Sequence, residues 1–392
     1  SEESIYSTVA PIFYVSKLFG LAPLNYVESS ETRIEVKFSP AFVTSLIFKL
    51  ITQFPNNLIT TYIPDILLFS SFSINSIISI ILAVTINKDK LKHMLVIMNQ
   101  ADKILFNKDS KYYITAKRDL FLRLIVLYLL VSFVILFDCI IWTMLFGMKN
   151  LLYFNYYLDM IINWTVVVQF MNYLILLKDR FKQLNGTMIN LLKNRRYSES
   201  DITLKNLKHT ILLSVITKKD SKENKEVYNW TYKDILHYNL THELLFDATK
   251  LIISMFEIQI VISTFISFLS ITIWVYFGFN YFFGYEFSLG FDNNLLLMGD
   301  LILSATSVIK LLCITLPSHA ANCEIAKTDS VLRKLLLIRD MDRSILDEVQ
   351  RFQEQVIQRQ IKITALGFLN LDLSLFFSVM GAVFTYLVIL VQ

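Results

Sequence analysis

The chain has 392 residues, 54% of them hydrophobic and 18% charged, with a mean hydropathy of +0.51. Long apolar runs broken by only 9 Gly and 6 Pro exclude a string of soluble domains. They fit an all-α membrane protein, because a bilayer core demands roughly 20 apolar residues per crossing and helices satisfy their own backbone there. A net charge of +4 is too small to argue for nucleic acid, and the three cysteines follow no metal spacing, so no metal and no cofactor are expected.

In chain order, residues 1–37 read as a cytoplasmic N-terminal segment, polar and acidic from Ser1 to Val9 and unlike a cleavable signal peptide. Seven apolar segments then predict seven transmembrane helices: Phe38–Phe54, Ile63–Ile86, Leu120–Phe146, Leu151–Leu177, Leu251–Phe277, Leu295–Leu316 and Leu366–Val391. Lys49 interrupts the first. Residues 38–177 thus hold spans one to four, 251–316 spans five and six, and 366–392 the seventh.

The connections are of two kinds. The N-terminal stretch and the long connections Asn87–Asp119, Lys178–Lys250 and Pro317–Ala365 carry 33 of the 37 Lys and Arg residues. The short ones carry only Lys149. The positive-inside rule places the N-terminus and the long connections in the cytoplasm and the C-terminus outside. Leu204, Leu207, Ile211 and Val215, and again Val331, Leu335, Ile338, Ile345, Val349, Phe352 and Val356, recur at helical spacing, so residues 178–250 and 317–365 predict a packed intracellular helical bundle continuous with the spans, the alternative being helices that lie on the inner membrane surface. Only Lys218–Val227 reads as a charged loop.

Ionisable groups inside spans are costly and need a partner, water or a function. Asp65, Asp138, Asp159 and Asp300 fall in outer halves of spans, in one slab with Asn75, Trp142, Trp164 and Trp274. Carboxylates and amides beside flat aromatic faces suit a small polyhydroxylated ligand, so Asp138, Trp142, Asp159, Trp164, Asp300, Trp274 and Asn75 are candidate ligand-binding residues of an outer-half pocket. Asp65 and Asp159 lie near span ends, where a carboxylate also serves as a cap, and tryptophans near span ends also serve as interfacial anchors. Lys310, in an inner half, is expected to pair with Asp372 or Glu257.

The last span carries a one-sided stripe of small polar residues, Ser374, Ser378, Gly381, Thr385 and Gln392. Such a face serves close helix packing or, in an oligomer, lines a water-filled path. Val388 and Ile389 would close that path as an apolar constriction. No charged ring marks its outer end, so poor selectivity among cations is expected.

The run Phe384-Thr-Tyr-Leu-Val-Ile-Leu-Val-Gln392 resembles the insect gustatory-receptor signature: Thr385-Tyr386, five apolar residues, then Gln392. The signature's closing Phe has no counterpart, since the sequence stops at Gln392. Thr364–Ser374 and Pro11–Lys17 also resemble that family, and Ile12–Pro23 is similar to its fructose-sensing branch. The resemblance implies a homotetrameric, ligand-gated, non-selective cation channel in the plasma membrane, passing monovalent cations and calcium, and no enzyme. It implies a pore lined by the seventh helix, a tastant pocket in the outer half of each subunit, an intracellular helical anchor domain formed by the bundle of residues 178–250 and 317–365, and contact with membrane lipids. A sugar, fructose where the branch resemblance is followed, fits the carboxylates and tryptophans of the outer slab better than an apolar bitter compound. A G-protein-coupled receptor would need the opposite orientation; a transporter, an internal repeat of spans; a membrane enzyme, a His-rich or paired-carboxylate motif.

Overall fold

The computed structural model describes residues 5–19, 21, 63–106, 110–146, 154–211, 232–282, 293–338, 341–359 and 362–391. The first apolar segment Phe38–Phe54 with Lys49, the charged loop Lys218–Val227 and Gln392 lie outside the described residues, as do the side chains of Asp65 and of 193–211.

Among the described residues the chain is helical apart from one hairpin. The helices are α1 (Ile5–Leu18), α2 (Ile63–Val84), α3 (Asn87–Leu105), α4 (Ser110–Phe146), α5 (Phe154–Ile211), α6 (Tyr232–Phe282), α7 (Asn293–Leu336), α8 (Arg343–Gln358) and α9 (Leu373–Val391). Five of them, α2, α4, α5, α6 and α7, are long and apolar enough to cross a membrane, and the apolar stretch of α9, Leu373–Ile389, is shorter. In the most apolar stretch of α5, 89% of the residues are buried, against 28% in that of α4. α5 is therefore the axis of the bundle, and α4 turns most of its apolar surface outward.

Three helices run far past the length a bilayer needs. α5, α6 and α7 have 58, 51 and 44 residues. At about 1.5 Å per residue they are roughly 66–87 Å long, more than twice the ~30 Å hydrocarbon core. The apolar stretch of span six ends at Leu316, and the helix itself continues: α7 passes through Pro317 without a break, since the lone backbone bond that Pro317 forgoes does not end it.

The overhanging half of α5, the first half of α6 and the second half of α7 pack with α3 and α8 into a helical extension that shares one continuous hydrophobic core with the apolar spans. α8 buries Ile345, Val349, Phe352 and Val356, one face at helical spacing, against α6 and α7. Polar bonds lock the other seams. The Asn185 amide donates to the Glu324 carbonyl at 2.8 Å and accepts from the Thr328 hydroxyl at 2.9 Å. Asn87 donates to the Met255 carbonyl at 2.9 Å. Arg180 on α5 and Asp102 on α3 form a bidentate pair with both contacts at 2.7 Å.

Within the N-terminal segment, α1 turns Ile5, Thr8, Val9, Ile12 and Ser16 into the core and packs on α4, α3 and α5. Between α8 and α9 sits a hairpin, β1 (Thr364–Ala365) paired antiparallel with β2 (Leu369–Asn370), Ala365 opposite Leu369. Its three-residue turn holds Leu366 at φ 52° and Gly367 at φ 75°. Glycine takes that conformation freely, whereas a leucine there costs about 1–2 kcal/mol. The Ile363 amide tethers the hairpin to Asn322 of α7 at 2.9 Å. Two-residue strands are too short to show alternation in a sequence, which is why this departure from an all-helical reading was not foreseeable. The Asp372 carboxylate then caps α9 by accepting the Ser374 amide at 2.9 Å.

Candidate functional site

The polar residues proposed for a ligand pocket fall into separate groups. Asp138 on α4 is buried and has both oxygens in use. The indole N–H of Trp142, one turn along, donates to one at 3.2 Å, and the Tyr157 hydroxyl of α5 donates to the other at 2.8 Å. This cluster joins α4 to α5.

Asn75 and Asp159 belong to a second group that ties α2, α5 and α6 together. The Ser73 hydroxyl donates to the Asp159 carboxylate. Asn163 donates to the Asp159 carbonyl at 2.8 Å, to the Phe72 carbonyl at 3.1 Å and to Ser76 at 3.0 Å. The Asn75 amide donates to Asn163 and, at 3.1 Å, to Ser263 of α6. Each such bond is worth about 1 kcal/mol net, but leaving a buried member without its partner costs about 1–3 kcal/mol. The knot therefore fixes the register of three helices.

Asp300 is buried on α7 where that helix meets α6. The approach there is close: a Cβ added at Gly278 would lie 3.4 Å from Leu297 and 3.9 Å from the Asp300 side chain.

Trp164 and Trp274 do come together. Both are buried, and they wall a cavity between α2, α5, α6 and α7 with Phe72, Tyr156, Ser270 and Lys310. Its free space is on the order of one water molecule. No carboxylate lines it among the described residues. Asp138, Asp159, Asp300 and Asn75 stand outside the lining, and the hydrogen bonds above account for where Asp138, Asp159 and Asn75 point instead.

Lys310 departs from its expected pairing. Its ammonium has no hydrogen-bond partner and makes no ion pair among the described residues. Asp372 is spent on capping α9, and Glu257 lies on α6 more than a dozen residues before the cavity-lining Ser270. Burying an ammonium costs several kcal/mol, on the order of 3 or more. The Phe72 ring, 5.4 Å from the Lys310 nitrogen, returns about 2 kcal/mol at most. Sequence reading placed Lys310 in a span but had no way to show that it faces a cavity.

α9 presents the second candidate surface. Val383, with Ile271 of α6 and Leu311 of α7, forms a small apolar cluster that holds one edge of the helix. Ser374, Ser378, Gly381, Thr385, Val388 and Ile389 are all exposed in the single chain, with Phe377, Phe384 and Tyr386. A Cβ built at Gly381 meets nothing within 4 Å. The Thr385 hydroxyl bonds back to the Gly381 carbonyl at 3.0 Å, and the Ser374 hydroxyl turns to Asp372. The free surface thus carries a small, weakly polar stripe, flanked by Phe377, Phe384 and Tyr386 and apolar at Val388 and Ile389.

Three likenesses bear on this arrangement. The sequence pattern of the family described as 7tm Chemosensory receptor matches residues 9–392. The "Putative gustatory receptor 28b" of Drosophila melanogaster is 32% identical over 85 residues, a stretch that is 22% of this chain and 18% of that protein. The fold is similar to that of the insect olfactory receptor OR5 from Machilis hrabei, with a TM-score of 0.56 at 13% identity, covering 98% of this chain and 97% of that one.

Proposed function

We propose that this chain, which belongs to the 7tm chemosensory receptor family, is one subunit of a tastant-gated, non-selective cation channel of the gustatory kind. The observation that carries the reading is the uncovered face of α9. A helix held along one edge, with Ser374, Ser378, Gly381 and Thr385 open, has the surface that copies of itself would enclose as an ion path. Val388 and Ile389 close that path, and a homotetramer supplies the ring.

In this reading α2, α4, α5, α6, α7 and α9 cross the membrane, and the further crossing expected from the sequence, Phe38–Phe54, lies outside the described residues. The N-terminus and the helical extension lie in the cytoplasm of a plasma-membrane receptor, where 33 of the 37 Lys and Arg residues then reside. The extension is the anchor through which subunits assemble. The tastant is a small molecule that enters the cavity walled by Trp164 and Trp274. The case for a sugar rested on carboxylates beside those rings, and the lining supports the rings without the carboxylates, so the ligand is left at a small-molecule tastant. Asp138, Trp142, Asp159, Asp300 and Asn75 set the walls in place from behind.

The test is electrical. The chain is expressed alone and a panel of tastants is applied during current recording with G-protein signalling blocked. Fast cation current is expected. In Trp164→Ala, loss of one wall should move the half-maximal tastant concentration by roughly tenfold or more, as burial of an aromatic face implies, with single-channel conductance unchanged. Absence of current under G-protein block, or a conductance that changes with Trp164, would count against this reading.

A further inference from the structure

Two polar atoms without partners line the same cavity: the Lys310 ammonium and the Ser270 hydroxyl. They come from facing helices, α7 and α6. The contrast with Arg180 is instructive. That cation is also wholly buried, and Asp102 neutralises it with two bonds. Lys310 has only the Phe72 ring, which does not replace a hydrogen-bond acceptor.

Three other hydroxyls around the cavity have already placed their hydrogens. Ser267 donates to the Ser263 carbonyl, and Thr306 and Ser307 both donate to the Leu303 carbonyl. What distinguishes the cavity is an uncompensated charge and unused donors: three N–H on Lys310 and one O–H on Ser270, whose oxygen, like those of the other hydroxyls, can also accept. A polyol could use the neutral hydroxyls but would bring no charge to set against Lys310. A carboxylate matches on both counts, since it accepts only and carries the charge that Lys310 lacks opposite it.

We propose that Lys310 and Ser270 recognise a carboxylate. The ligand is a small amphiphile whose carboxylate sits on Lys310 and whose flat apolar body lies between Trp164 and Trp274. The proposal rests on the reading of this cavity as the tastant site and names the chemistry it takes. The free space is on the order of one water molecule, so a ligand of this kind must part α6 from α7. α9 packs on both of these helices, which gives occupancy a direct route to the ion path.

The matched probes are benzoate and benzamide, alike in shape and different in charge. They are titrated into the purified full chain in detergent, read by tryptophan fluorescence and by thermal unfolding. Wild type is expected to bind benzoate at least tenfold more tightly than benzamide, the difference a charge-assisted bond makes. Lys310→Met, close in shape and uncharged, should remove that preference while keeping benzamide binding, which also reports an intact fold. Ser270→Ala should weaken benzoate severalfold. Equal binding of the two probes by wild type, binding of neither, or a preference that survives in Lys310→Met overturns the proposal and leaves Lys310 to a trapped water. Currents separate the two readings. If benzoate binds with the expected preference and opens nothing, the gating reading falls and the recognition stands. If other tastants open the channel in a Trp164-dependent way and benzoate has no advantage, the cavity reading stands and the carboxylate proposal falls.

Discussion

Asp102→Ala is expected to destabilise the receptor by about 3–5 kcal/mol, because it strands a buried guanidinium. Arg180 and Asp102 are both wholly shielded from solvent. Two bonds of 2.7 Å join them, and a third ties Arg180 to the Leu176 carbonyl at 2.8 Å. The stacked rings of Phe106 and Tyr112, 4.0 Å apart, lie where α3 ends and α4 begins, near the pair in sequence. Water has no access there to replace a lost carboxylate. The double replacement Asp102→Leu with Arg180→Leu should recover most of the loss, since an apolar pair of similar bulk needs no neutralisation. Thermal unfolding in detergent and the fraction of protein reaching the cell surface are the measurements. A single variant within about 1 kcal/mol of wild type would mean that water or another group reaches Arg180, which the burial of this seam argues against. The pair joins α3 to α5, so its loss should loosen the helical extension and leave the apolar spans helical.

The same seam shows where sequence reading succeeds and where it stops. The apolar spans are legible because the bilayer imposes a length of about 20 residues that few soluble helices match. The amphipathic faces of Val331 to Val356 are legible because burial against neighbours repeats every three or four residues, and α7 and α8 bury Val331, Leu335, Ile345, Val349, Phe352 and Val356. Contacts one turn apart on a helix are also within reach, as for Trp142 on Asp138. Contacts between helices are not. Nothing in the spacing says that Tyr157 takes the second oxygen of Asp138, that Asp102 meets Arg180 across 78 positions, or that Asp372 turns away from Lys310 to cap α9. Pro317 is absorbed inside α7 because the packing of α7 on α5 and α6 outweighs one missing backbone bond. Charge inside a membrane marked Lys310 as worth attention. Only the fold shows that it faces aromatic walls.

Val388→Ser is expected to give a channel that leaks without tastant. In the proposed assembly Val388 and Ile389 repel water from the narrow end of the path, and ions cross only when that end wets. Val388 is exposed on the single chain, so replacing it disturbs no packing within the subunit. Removing apolar surface worth about 0.8 kcal/mol per methyl in every subunit, and adding a hydroxyl, should raise basal open probability by roughly tenfold or more. Val383 supplies the contrast on the same helix. It is buried with Ile271 and Leu311, so Val383→Ser should lower thermal stability and surface expression while basal current per surface receptor stays near wild type. The pair of variants therefore reads which edge of α9 faces the ions. If Val383→Ser leaks and Val388→Ser does not, the helix has been assigned the wrong face, and the small stripe from Ser374 to Thr385 serves helix packing instead.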